Sequence, residues 1–223
     1  MSWEAKRVKF LAVALLPVFV AAGQTEPDPQ TFVPDVARAA AAEGNDAFSR
    51  GDYDAARDAY RQVIELAPQN VIGKVNLGVV EYRSGNLEEA ERVLKEVVQS
   101  RIETGAAWLT LGILYYENDR VDEALAALSQ ATLHDPGNAR AHNYYGVTLG
   151  VKGWKDGAEA ELRRAVEIDP EYRDAHYNLA LLYMERRPPT VELAKRHYYR
   201  SVELGAPRDS ALEKNLKLSP GEQ

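Results

Sequence analysis

Histidine side chains offer the most direct route to chemistry in this sequence. His142 and His176 stand 34 residues apart at equivalent places of successive helices, and two such imidazoles invite a metal-site interpretation. Helices in that relation are about 10 Å apart or more, whereas zinc binds a histidine nitrogen at roughly 2 Å. We therefore predict no metal site, and we expect both histidines to cover the core with one face exposed.

The other reactive groups lack the neighbours that catalysis needs. His134 lies at a predicted helix end, where a cation suits the helix dipole, and His197 lies beside Tyr198 in a packed helix. The sequence has no cysteine, which excludes thiolate ligands, disulfides and cysteine nucleophiles. It has no phosphate-binding loop and no supported Ser/His/Asp set. We predict a protein that is not an enzyme and uses no cofactor; the enzymatic alternative requires bound metal or a turnover that His142→Ala abolishes.

The elements that carry these residues repeat with a period of 34. Small residues mark two places in the period: Gly44, Gly78, Gly112, Gly146 and Ala180, and, twelve residues after the glycines, Ala56, Ala90, Ala124 and Ala158. Glycine within a helix costs about 1 kcal/mol relative to alanine, so four at one place indicate that paired helices approach closely there. A period of this length predicts one supersecondary unit stacked on copies of itself.

Turn residues divide each unit into two helices. Gly51, Gly85 and Gly153 stand where a left-handed residue would end the first helix. Pro136 and Pro170 close the second helix of their units, because proline cannot continue a helix. Each unit is therefore predicted as a helix, a tight turn and a second helix.

The repeating pattern resembles the tetratricopeptide repeat. In the third unit the matching residues are Trp108, Leu111, Gly112, Tyr115, Ala124, Leu128, Ala131 and Pro136. The resemblance covers five units, at residues 37–70, 71–104, 105–138, 139–172 and 173–207. It implies an all-α fold, a right-handed superhelical solenoid of helix-turn-helix repeats.

The end of the array departs from the regular period. The fifth unit carries Arg187-Pro188-Pro189-Thr190 and is two residues longer than the others, which predicts a longer loop. Residues 208–223 are predicted as a capping helix, from about Asp209, followed by a tail. The leucines expected to cover the last repeat are Leu212, Leu216 and Leu218.

A second apolar stripe on the first helices must be covered by something, because a solvent-facing helix needs only one such stripe. The resemblance implies that these places line a concave groove for a partner segment. The implied groove residues are Asn45, Phe48, Ile72, Val75, Asn76, Val79, Tyr82, Leu109, Ile113, Tyr116, Asn143, Val147, Tyr177 and Leu181. The alternative is that curvature of the array buries much of this stripe against the adjacent unit.

Polar side chains in the implied groove are few. Asn45, Asn76 and Asn143 are placed to hydrogen-bond the backbone of a partner. Asn45 and Asn76 also match two places of the carboxylate clamp of the resembled family. The places of the basic residues of that clamp hold Ala41, Ala106 and Thr110. We therefore expect an apolar peptide or amphipathic helix as the ligand, and not a C-terminal carboxylate.

The N-terminal segment has the pattern of a secretory signal. Lys6, Arg7 and Lys9 precede a 13-residue apolar run at positions 10–22, and small residues offer cleavage after Ala22 or Gly23. A helix of that length extends roughly 20 Å, short of the ~30 Å hydrocarbon core of a membrane. We predict a signal peptide at 1–23, a Pro-rich linker at 24–36 and a periplasmic or envelope location in a bacterium. The alternative is an uncleaved inner-membrane anchor at residues 10–22.

Charge narrows the choice of partner. The formal net charge is −7, or about −9 without residues 1–23, which disfavours nucleic acid. Residues 186–217 hold eight Lys or Arg against four Asp or Glu, an excess that usually marks a solvated face. We predict a non-enzymatic scaffold or adaptor for a protein or peptide segment, with membrane contact only through an uncleaved N-terminus. The alternative is a structural protein that forms a homo-oligomer or braces an envelope complex.

Overall fold

The computed structural model of the chain describes residues 34–217. Within that range it contains eleven α-helices and no β-strand, which confirms the predicted all-α fold class. The described residues form two compact units, 34–118 and 119–217. None of their helices combines the length and hydropathy that crossing a bilayer requires. The predicted signal peptide lies outside the described residues.

Five helices form the N-terminal unit: α1 (Asp35–Ser49), α2 (Tyr53–Leu66), α3 (Val71–Arg83), α4 (Leu87–Ser100) and α5 (Gly105–Glu117). Each helix packs on the next one in the chain, and the connections are three or four residues long. α3 also contacts α5, so the first helices of adjacent hairpins meet directly.

Six helices form the C-terminal unit: α6 (Val121–His134), α7 (Ala139–Val151), α8 (Lys155–Ile168), α9 (Arg173–Glu185), α10 (Val191–Glu203) and α11 (Ser210–Leu216). Consecutive helices again pack on one another, and α7 also contacts α9. The same local arrangement of hairpins therefore occurs within each unit.

The repeated glycines lie where paired helices approach most closely, as their period predicts. A Cβ atom on Gly78 would come within 2.6 Å of Leu94 Cγ, and one on Gly44 within 2.9 Å of the Tyr60 ring. At Gly146 the added carbon would lie 3.0 Å from the carbonyl oxygen of Ala158, the alanine twelve residues later. Backbone therefore faces backbone at this crossing.

The turns within the hairpins have the left-handed residue that the sequence predicts. Gly51, Gly85 and Gly153 have φ angles of +76°, +86° and +82°. Asp119 has φ of 61° and ends the corresponding turn, which lacks glycine. At the next helix start, Asp52 accepts a hydrogen bond from the Ala55 amide at 3.1 Å. Such a cap satisfies one of the amides that a helix start leaves unpaired.

The last hairpin has a longer loop and is followed by a short helix. Five residues, 186–190, separate α9 from α10, against three between α7 and α8, as the insertion predicts. α11 packs on α10, and its Leu212 and Leu216 are buried. Asp209 caps α11 by accepting from the Ala211 and Leu212 amides. Leu218 lies outside the described residues.

Candidate functional site

The predicted groove residues lie on the first helix of each hairpin. In the N-terminal unit α1, α3 and α5 carry ten of them, and in the C-terminal unit α7 and α9 carry four. None of the fourteen has a charged side chain. The surfaces that they form can therefore bind by apolar contact and by hydrogen bonds from amide and phenol groups.

Most of the N-terminal set is buried. The buried members are Phe48, Val75, Asn76, Val79, Leu109, Ile113 and Tyr116. Asn45, Ile72 and Tyr82 are partly exposed, and we call these three the accessible groove residues. The contact between α3 and α5 is the inter-repeat packing on which the burial alternative rests. Burial of these seven positions favours the alternative that they pack against the adjacent repeat. Their assignment to a partner-binding groove stays a prediction.

Two tyrosines use hydrogen bonds to fix the polar groups of the N-terminal set. The Tyr60 hydroxyl donates to Asn45 Oδ1 at 2.6 Å, and the Tyr82 hydroxyl donates to Glu117. Burial raises the pKa of Tyr60, so its phenol remains a donor at neutral pH. The amide nitrogen of Asn45 makes no hydrogen bond to a described residue, which leaves a donor for a partner.

The four C-terminal groove residues are also mostly buried. Asn143, Val147 and Leu181 are buried, and Tyr177 is partly exposed. Asn143 Oδ1 accepts from Asn178 Nδ2 at 2.8 Å, and Asn143 Nδ2 lies 3.4 Å from the Tyr172 hydroxyl. Asn143 is thus buried and hydrogen-bonded inside the unit, and its predicted contact with a partner stays a prediction.

Tyr177 likewise serves the interior of the C-terminal unit. Its hydroxyl donates to Asp209 Oδ2 at 2.7 Å, which joins α9 to the start of α11. Burial, followed by this hydrogen bond, raises the pKa of Tyr177, so the bond persists at neutral pH. Asn178 is fully buried, and sequence reasoning did not single it out. Asn178 occupies the place of Asn76 three periods later, and this equivalence is the signal by which the sequence could have identified it.

The histidines of the C-terminal unit are more buried than the sequence predicts. His142 and His176 are 8% and 9% exposed, and Nε2 of each lies 3.1 Å from a carbonyl oxygen, of Pro136 and Pro170 respectively. Trp108, at the equivalent place of the N-terminal unit, donates its indole N–H to the Ile102 carbonyl at 2.6 Å. The three side chains therefore share one structural role, which is to hold the preceding loop.

The partners of the other imidazole nitrogens differ between these two histidines. His142 Nδ1 lies 2.6 Å from Glu161 Oε2, whereas His176 Nδ1 lies 2.9 Å from His197 Nδ1. The pairing of His176 with His197 was missed from the sequence. Across residues 34–217, no set of three or more His, Cys, Asp or Glu side chains is arranged to hold a metal ion.

A buried ion pair joins two hairpins of the N-terminal unit, and it too was missed from the sequence. Arg57 Nε on α2 donates to Glu81 Oε1 on α3 at 2.7 Å, and Asn86 Nδ2 donates to Glu81 Oε2 at 2.8 Å. The Arg57 side chain is 15% exposed and that of Glu81 is 2% exposed. The hydrogen bond to Glu81 raises the pKa of Arg57, so the guanidinium is charged at every accessible pH.

The Arg57–Glu81 ion pair belongs to a contact between successive hairpins that recurs 34 residues later. At the equivalent places, the Tyr115 hydroxyl on α5 donates to Glu91 Oε1 on α4 at 3.2 Å. The second helix of one hairpin thus makes a polar bond to the first helix of the next at both junctions of the unit, with different chemistry at each.

Comparison with known proteins agrees with this architecture. A family model described as tetratricopeptide repeat matches residues 41–103 and 109–171, which together exceed half of the chain. The comparison with curated proteins gave no match.

Several solved structures share the fold. PilF of Pseudomonas aeruginosa has a TM-score of 0.73 at 17% identity, covering 82% of this chain and 85% of its own. The tetratricopeptide protein TTC0263 of Thermus thermophilus has a TM-score of 0.63 at 22% identity, covering 81% and 97%. YrrB, described as a tetratricopeptide protein with an unusual peptide-binding site, has a TM-score of 0.58 at 21% identity, covering 78% and 88%. With the family model matched over most of its repeats, this chain belongs to the tetratricopeptide repeat family.

Proposed function

We propose that this chain is a non-enzymatic scaffold or adaptor that binds an apolar segment of a protein partner on the first helices of its N-terminal unit. The observation that carries the proposal is the character of the accessible groove residues. Ile72 and Tyr82 are partly exposed side chains without charge on α3, and Asn45 on α1 keeps an amide nitrogen without a described acceptor. A peptide or helix with an apolar face satisfies both requirements.

None of the predicted groove residues is charged, which favours a partner segment without charged side chains at this surface. A charged segment would lose water here without gaining an ion pair from the groove residues, which is costly. The peptide-binding site named for YrrB belongs to a protein of the same fold, and it supports a peptide as the ligand of this chain.

Site-specific photocrosslinking tests the proposal. We would place p-benzoylphenylalanine at Ile72 and at Tyr82, and at the exposed Glu88 on α4 as the matched control. We expect one protein other than this chain to be captured from the two groove positions and not from Glu88. Equal capture from all three positions, or no capture from Ile72 and Tyr82, contradicts the proposal.

A substitution gives the second arm of the test. Ile72→Glu puts a carboxylate on the apolar surface and should reduce capture from Tyr82 at least about tenfold, with helical content unchanged. Glu88→Ala should leave capture unchanged. If a second copy of this chain is the captured protein, the structural assembly alternative replaces the adaptor role.

We also propose that the protein is exported and acts in the bacterial envelope. The support is the basic cluster of Lys6, Arg7 and Lys9 before the short apolar run. N-terminal sequencing of protein from the envelope fraction should find a start near Gly23 or Gln24. An intact Met1 or Ser2 terminus in that fraction would refute cleavage.

A further inference from the structure

Two imidazoles meet inside the last hairpin of the C-terminal unit. His176 on α9 and His197 on α10 place their Nδ1 atoms 2.9 Å apart, with ring centroids 5.1 Å apart. The Tyr183 ring lies 5.8 Å from the His197 ring. We call His176 and His197 the histidine pair.

The hydrogen bonds define which nitrogen carries each proton. His176 Nε2 lies 3.1 Å from the Pro170 carbonyl oxygen, which only accepts, so Nε2 carries the hydrogen. Neutral His176 then presents the lone pair of Nδ1, and His197 Nδ1–H donates to it. A second proton on His176 Nδ1 would set two N–H groups against each other and remove this bond.

The surrounding charges oppose protonation of either ring. Arg196 and Arg200 on α10 act on His176, and Arg163 on α8 with Arg196 acts on His197. Asp169, in the loop before α9, acts on His176 in the opposite direction but is outweighed. A proton added at His197 Nε2 would keep the bond to His176, but it would place a further positive charge beside these arginines.

Burial and these charges lower the pKa values of both histidines. Burial lowers the pKa of His176; the hydrogen bond to the Pro170 carbonyl opposes this shift, and the arginines add to it. Burial, then the neighbouring His176, Arg196 and Arg163, lowers the pKa of His197 to about 4. Because the unfolded chain binds protons more readily than the folded one, stability from the pair is complete above about pH 7 and is lost as the pH falls toward 4.

The preceding hairpin contains the matched arrangement without this property. His142 and Glu161 occupy the places of His176 and His197, with Nδ1 and Oε2 2.6 Å apart. His142 thus faces a carboxylate, which accepts a hydrogen bond from the imidazole and carries the opposite sign of charge to a second imidazolium. Two equivalent contacts within one unit therefore differ in chemistry, because only the contact between α9 and α10 sets one imidazole against another.

The histidine pair lies beside the attachment of α11. Tyr198, the next residue on α10, donates its hydroxyl to Glu213 Oε1 at 2.8 Å and accepts from the Asp209 amide at 2.9 Å. Displacement of α10 from α11 breaks both bonds and leaves the Tyr177–Asp209 bond between α9 and α11, so the packing over the buried Leu212 and Leu216 loosens.

We propose that the histidine pair is a proton-sensitive contact that loosens α10 and α11 in mild acid. Between pH 7 and pH 5 the folded pair keeps its neutral Nδ1–H···Nδ1 bond, but the imidazoles bind protons once α10 has moved away from α9, so the opened form becomes more populated. The opened form separates α10 from α9 and loosens α11, whereas the contact between α7 and α8 contains no such imidazole pair.

Hydrogen exchange measured by mass spectrometry on the full chain tests this inference. After correction for intrinsic rates, we expect protection of α10 and α11 to fall about 20-fold from pH 7 to pH 5, the ratio for one histidine whose pKa falls from 6.5 to about 4. Protection of α3 should change less than about threefold. Equal changes in α10 and α3 would overturn the proposal.

Variants at the matched positions separate this mechanism from general acid instability. His197→Gln cannot take up a proton, and His197→Glu copies the His142–Glu161 contact. We would use the variant that retains the wild-type protection of α10 at pH 7. In that variant, most of the 20-fold change in protection between pH 7 and pH 5 should be absent. Glu161→His should create a new loss of protection in α7 and α8 at pH 5. Persistence of the full α10 change in the folded His197 variant refutes the role of the pair.

Discussion

The ion pair between Arg57 and Glu81 gives the sharpest test of how the N-terminal hairpins are joined. Arg57→Met removes the cation and leaves the Glu81 carboxylate, 2% exposed, with only the Asn86 amide as a described side-chain donor. Removing one partner of a buried pair costs about 3–5 kcal/mol. The 15% exposure of Arg57 lets water compensate in part, so we expect the lower figure, about 3 kcal/mol.

Urea unfolding followed by circular dichroism measures this change. With a slope of about 2 kcal/mol per molar urea, the midpoint should fall by roughly 1.5 M. The control is Arg61→Met on the same helix, whose ion pair with Asp58 is long, at 3.9 Å, and exposed. That variant should change the free energy of unfolding by no more than about 0.5 kcal/mol.

A double variant tests the electrostatic reasoning itself. Leu125 and Leu149 occupy the equivalent places two periods later, and both are buried. Arg57→Leu with Glu81→Leu copies that apolar pair, and it should recover the stability to within about 1 kcal/mol of the wild type. If the double variant is as unstable as Arg57→Met, or if Arg57→Met behaves like Arg61→Met, the argument from an uncompensated buried charge is wrong.

Two further predictions concern helix packing and capping. Gly146→Ala should lower stability in thermal unfolding by about 1–3 kcal/mol, because its Cβ would lie 2.8 Å from Leu162 Cγ. The control Gly137→Ala has open space around the added carbon and should leave stability unchanged. Equal effects of the two substitutions would contradict the packing argument. Asn70→Ala removes the side chain that accepts from the Gly73 amide at 2.8 Å and should cost about 1 kcal/mol in urea unfolding, and an unchanged midpoint would show that water replaces this cap.

The helices and turns could be predicted because their causes are local or periodic. Gly51 and Gly85 adopt the left-handed conformation that a tight turn requires, and Gly44 and Gly78 lie where only a hydrogen fits. These requirements act on single positions and recur at a fixed interval. The sequence therefore carries them directly.

The histidine pair was missed because the two-residue insertion was not carried through to the contacts between paired helices. In the preceding hairpin the partner of His142 is 19 residues later, at Glu161. The same interval from His176 leads to Lys195, but the loop at 186–190 is two residues longer and brings His197 to that place. Identifying the partner of His176 requires the residue at which α10 begins, because that residue sets which side chains of α10 lie opposite α9.

The groove set shows a different limit of the sequence. A second apolar stripe on a first helix has the same pattern whether it awaits a partner or packs on the next repeat. Ile72 and Val75 are neighbours in that stripe, but only Ile72 is partly exposed. Their difference arises from the spacing of helices, which no single helix encodes.

The contact between successive hairpins of the N-terminal unit also bears on how such an array can be inherited. Its second hairpin carries Glu81 toward the hairpin before it and Glu91 toward the hairpin after it. A tandem duplication of residues 71–104 would bring Glu91 of the first copy against Glu81 of the second, so two carboxylates would share one enclosed place. The junction chemistry thus gives the repeats an order and penalises the copying errors by which repeat arrays lengthen.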